Sequence, residues 1–198
     1  TTKEEIEKVL KTFIGKSMQE VPMYSAVKIK GKKLYEYARE GIKVIPPKKE
    51  IEIYNIELVG EPQYLENIIE FKIKCSVSKG TYIRSLIRDI GYKLETFGTM
   101  KSLKRTRQGI FKLEESYSLE DIEKDNYKIL KIREALPNIK MTIIDDTTLK
   151  KVQNGMILPS FFDEELSLLV DSQDHEVAIY KKEDNMAKPY KMIEVNNE

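Results

Sequence analysis

IIEFKIKCSVSKGTYIRSLIRDIG, residues 68–91, changes its apolar period half-way along, and that change decides the fold. Phe71, Ile73, Cys75 and Val77 alternate with polar residues, as in a strand with one apolar face. Ile83, Leu86, Ile87, Ile90 and Leu94 then recur at helical spacing, so a helix is expected to begin near Thr81. Lys79-Gly80-Thr81 is the turn between them. Arg84 falls in the first turn of that helix, where a cation is disfavoured by about 0.3–1 kcal/mol. Arg88 follows one turn later on the same face, and like charges at that spacing also repel. An anion must offset this. A structural Asp or Glu, a catalytic carboxylate and an RNA phosphate all suit a guanidinium fork.

Upstream of this unit, EIEIYNIEL (residues 50–58) reads as a second strand. Its apolar parity switches between Ile53 and Ile56, which predicts a bulge. KIKGKK reads as a turn, and Leu34 to Arg39 as a short helix that ends at Gly41. Thr2-x-x-Glu5 forms a capping box ahead of Ile6, Val9, Leu10 and Phe13. Downstream, LKRTRQGIF reads as a basic strand with Leu103 pointing inward, and SLEDIEKD opens a helix at Ser118. Pro137-Asn138 is the expected domain boundary, giving units 1–137 and 138–198. The segments MTIID, LSLLVD, EVAIYKK and YKMIEV beyond it suggest a small β domain.

Composition narrows the chemistry. The 198 residues are 40% hydrophobic and 34% charged, which suits a globular chain. No apolar run approaches the roughly 18 residues of a membrane span, and the first residues lack a signal layout. The single cysteine, Cys75, leaves no internal disulfide and fits a reducing cytoplasm. The single histidine, His175, argues against a histidine-based triad or a His-rich metal site. No Walker pattern occurs, so a nucleotide-binding loop is not expected. Carboxylates, tyrosines, lysines and arginines remain. The chain opens directly on a helix without an initiator Met, so a piece of something longer is expected.

The formal net charge of +1 hides an asymmetry. Residues 1–113 hold 23 Lys+Arg against 14 Asp+Glu, and residues 114–198 hold 11 against 19. Two basic stretches, Lys28–Lys49 and Lys79–Arg107, would attract a polyanion if they shared a face. A solvated lysine-rich surface is the plainer reading. Tyr24 and Tyr82 each sit beside small residues at an element junction. Core packing and stacking on a nucleobase, worth about 1–3 kcal/mol per base, both fit such tyrosines.

PMYSAVKIKGKKLYEYAREG, SKGTYIRSLIRDIG and MKSLKRTRQGIFKLEESYSLEDI together resemble, in order, successive motifs of the TruB family of tRNA pseudouridine synthases. LKKVQNGMI resembles that family's small C-terminal PUA-like domain more weakly. The resemblance implies an α+β fold: the latter part of a synthase catalytic domain with a mixed or antiparallel sheet, then a PUA-like RNA-binding β domain. It implies isomerisation of a uridine in the T arm of tRNA, with tRNA as partner and neither cofactor nor metal. Tyr24 then matches the tyrosine that stacks on the flipped uracil and is a candidate for moving the C5 proton. Tyr82 matches a pocket tyrosine, Leu103 the leucine packed on the base, and Arg84 the arginine paired with the catalytic aspartate. Lys28, Lys79, Lys104 and Arg105 are the expected RNA contacts.

One part of the family pattern is missing. The nucleophilic aspartate lies upstream in a GTLDP-type loop, and no Asp-Pro dipeptide occurs in these 198 residues. Asp89 and Asp145–Asp146 do not match it. The chain is therefore expected to be inactive alone. The alternatives are a non-catalytic RNA-binding chain, or a subunit completed by a separate N-terminal half.

Overall fold

A computed structural model describes residues 1–193. The chain divides into two compact units, Thr1–Lys104 and Arg105 onward, so the break in compactness precedes Pro137-Asn138.

The first unit is a three-stranded antiparallel sheet with two helices packed on one face. Helix α1 (Lys3–Lys11) begins at the expected capping box, with the Thr2 hydroxyl accepting from Glu5 N–H and the Glu5 carboxylate accepting from Thr2 N–H. Strand β1 (Gly15–Glu20) follows. A hairpin of β2 (Lys28–Ile29) and β3 (Lys32–Lys33) turns at Lys30-Gly31, both with positive φ, as the type I′ two-residue turn requires. Helix α2 (Leu34–Arg39) ends before Gly41 as read. Strand β4 (Lys48–Tyr64) is longer than expected and lies between β1 and β5 (Ile69–Val77).

The bulge stands where the parity change put it. Ile53 pairs with Val77 and Asn55 with Ser76, so Tyr54 is the extra residue. That one insertion keeps Ile51, Ile53 and Ile56 all in the core.

Helix α3 (Ile83–Lys93) buries Leu86 and Ile90 against Ile6, Leu10 and the β4 isoleucines. A Cβ on Gly91 would overlap the backbone of Gly98, and one on Gly98 would overlap the Ile87 carbonyl. The chain leaving the helix thus folds back on it at two side-chain-free positions. Residues 101–106 are coil, and Leu103 is 57% exposed there instead of pointing inward from a strand. Among the described residues no strand pairs with this segment.

The second unit starts with a hairpin of β6 (Arg107–Gln108) and β7 (Phe111–Lys112). Helices α4 (Leu119–Glu123), capped by Ser118, and α5 (Ile132–Ala135) follow. The small β domain is then a five-stranded mixed sheet, in the order β8 (Lys140–Ile143), β10 (Leu166–Val170), β11 (Glu176–Glu183), β12 (Met186–Met192), β9 (Leu158–Pro159). Helix α6 (Asp146–Gln153) packs Val152 and Leu149 on one face with Leu169, Ala178 and Tyr180. Ile132 and Ile139 pack on the other face with Leu168, Val170 and Ile179. LSLLV is buried on both sides, which is why apolar residues follow one another without alternation from Leu168 to Val170. Among the described residues no helix is long and apolar enough to cross a membrane.

Candidate active site

The end of β1 is tied to the start of α3 by side chains. The Gln19 amide is 4% exposed and pairs with the peptide of Tyr82 in both directions. Tyr82 N–H donates to Gln19 Oε1 at 2.8 Å, and Gln19 Nε2 donates to the Tyr82 carbonyl at 3.1 Å. One turn on, the buried Ser85 hydroxyl donates to the Glu20 carbonyl at 2.9 Å. Arg88 reaches Glu20 Oε1 at 3.0 Å and Asp89 Oδ1 at 2.9 Å. Burial works against the Arg88 charge, and Asp89 and Glu20 more than offset it, holding its pKa above the ordinary arginine value. Arg88 thus has its anions.

Arg84 has none among the described residues. Its Nη2 donates to the Tyr24 carbonyl at 2.9 Å, 60 residues away in sequence. This bond brings two of the predicted site residues together. Tyr24 lies in the segment between β1 and β2 and is 63% exposed. Beside it Ser25 is buried, and its hydroxyl lacks a hydrogen-bond partner among the described residues. Tyr82 is half-buried as the N-cap residue of α3. Leu103 joins none of the apolar clusters. Lys28 and Lys79 are exposed, Lys28 on β2 and Lys79 in the turn before Gly80. Lys104 and Arg105 are exposed in the coil, on either side of the division between the units.

Residues 1–83 match the TruB family pseudouridylate synthase (N terminal domain), and residues 84–139 match the tRNA pseudouridylate synthase B C-terminal domain. "tRNA pseudouridine synthase B" of Bacillus cytotoxicus is 38% identical over 209 residues, covering 100% of this chain and 68% of that protein. The chain belongs to the TruB family. The protein of the same name from Halalkalibacterium halodurans is 35% identical, covering 95% of this chain and 65% of its own length. The Bacillus subtilis protein is 42% identical over 162 residues, covering 79% of this chain and 52% of its own. The chain therefore spans roughly half to two thirds of the curated TruB proteins it matches.

A chain of a Cbf5-Nop10-Gar1 complex superposes with a TM-score of 0.63 over 98% of this chain and 62% of its own, at 23% identity. That likeness concerns the fold, and it agrees with the α+β class expected from the TruB motifs. Sequence reading singled out Tyr24, Tyr82 and Arg84 but missed Gln19, whose partners are backbone atoms 63 residues on.

Proposed function

We propose that this chain supplies the tyrosine- and arginine-bearing part of a tRNA pseudouridine synthase that isomerises a uridine of the T arm. The Arg84–Tyr24 bond carries the reading, because it joins two family motifs at one exposed place. The names of the TruB relatives support tRNA as the substrate class.

In this reading the target base leaves the stack at a cost of a few kcal/mol. Tyr24 stacks on it, while Tyr82 and Leu103 line its pocket. The N1–C1′ bond breaks, the uracil turns, and a C5–C1′ bond forms as the C5 proton is passed on and N1 gains one. A carboxylate serves as nucleophile or general base, and an arginine beside it keeps it ionised. Arg84 can do this with the nitrogens not used on Tyr24. The carboxylate comes from the GTLDP-type segment that these 198 residues do not contain. Lys28, Lys79, Lys104 and Arg105 contact the RNA backbone. Residues 1–137 are assigned to the catalytic domain, and residues 138–198 to a PUA-like RNA-binding domain.

Tritium release from a T-arm hairpin labelled at uridine C5 tests this. The chain alone, folded by circular dichroism, is expected to release none. Adding the relatives' upstream segment is expected to restore release. Release by the chain alone would refute the missing-carboxylate reading. RNA binding without release in either mixture would leave a non-catalytic RNA-binding chain.

A further inference from the structure

Lys49 stands near the start of β4, in register opposite Gln19 on β1. Alternation along β4 sends Ile51 and Ile53 into the helix-covered core, so Lys49 shares their face while Glu50 and Glu52 point the other way. The Gln19 clip on Tyr82 draws the turn 78–82 over this end of the strand pair. There the Lys49 ammonium lies against Gly80, in the space that a Cβ on residue 80 would occupy. Gly80 also has φ +86, a conformation L side chains rarely adopt. The missing side chain makes room for the lysine, and the backbone conformation independently calls for glycine at this position.

Lys49, Lys79 and Arg84 are all exposed around this turn, and none has a carboxylate partner among the described residues. Of the nearby acids, Glu20 and Asp89 both bind Arg88, and Glu50 and Glu52 lie on the opposite face of β4 from Lys49. With Arg84 paired to the carboxylate of the reading above, Lys49 and Lys79 stay unneutralised and repel one another, and a polyanion threading past them would relieve that repulsion.

We propose that Lys49 binds a phosphate of the RNA strand entering the Tyr24–Tyr82 site, beside Lys79 and Arg84. This rests on the RNA-modifying reading above and adds a residue that the sequence motifs did not single out. The ammonium acts as a point charge on a phosphodiester oxygen, positioned by the β1–β4 register and admitted by Gly80.

The test titrates a labelled T-arm hairpin with the 198-residue chain over a salt series. Lys49→Gln is expected to weaken binding several-fold at low salt and to make the log–log salt slope shallower by about one. Lys49→Arg should keep the wild-type slope. Lys8→Gln, the same charge loss on α1, should change neither value. Wild-type behaviour of Lys49→Gln, or an equal loss in Lys8→Gln, would overturn the proposal. The two readings fail separately: a Lys49 effect without tritium release in the completed enzyme leaves the phosphate contact and removes the synthase, and the reverse result does the opposite.

Discussion

Arg84 and Arg88 have the same chemistry one helical turn apart and opposite environments. Arg88 is held by Glu20 and Asp89, and Arg84 by a single carbonyl. Only the second has a fork left to offer. Arg84→Lys in the completed enzyme is therefore expected to lower turnover about 10²-fold, the scale of losing one aimed donor, with RNA affinity changed far less. A lysine cannot hold the Tyr24 carbonyl and a carboxylate in one plane. Single-turnover rates against hairpin affinity separate the two effects, and equal losses in both would mean a phosphate contact. Tyr24→Ala should cost the about 1–3 kcal/mol of one base stack. Full activity in that variant would remove Tyr24 from the site.

At the scale of elements, the site depends on β1 and α3 being locked end to end. Replacing Gln19 with leucine keeps the bulk and leaves the half-buried Tyr82 N–H and carbonyl without their partner, so Gln19→Leu is expected to destabilise the first unit by about 1–3 kcal/mol in urea melts. An unchanged midpoint would mean that the clip adds nothing to the packing of α3. The strands, the bulge at Tyr54 and the helix from Ile83 were legible because each leaves an apolar period in a short window. Gln19 was not, since a side-chain-to-backbone bond across 63 residues leaves no pattern in either segment. Leu103 misled for a related reason. Its basic neighbours look like one face of a strand, yet no strand pairs there. Helix α6 went unread because only Leu149 and Val152 of its eight residues are apolar, too few to mark a helical period.

The described residues build one apolar core under α1 and α3 in the first unit and one on each face of the five-stranded sheet in the second. In the second unit, a carboxylate from β11 closes the structure around α5. Glu176 accepts from the backbone of Ile132 at 2.9 Å and of Arg133 at 3.0 Å, and from Arg133 Nε at 2.8 Å. Burial opposes its charge, but the Arg133 guanidinium and these backbone donors prevail and lower its pKa. Folded Glu176 therefore holds its proton less tightly than the unfolded residue does. Its stabilisation is complete above the unfolded value of about 4.3 and is lost as pH falls through the lower folded value. Glu176→Gln should then be less stable than wild type at pH 7, with the gap narrowing as the pH drops below about 4. Urea melts followed by hydrogen exchange in β10 and β11 measure this. A constant gap across that range would mean that the charge of Glu176 does not hold α5, and that Ile132 and Ile139 do so by packing alone.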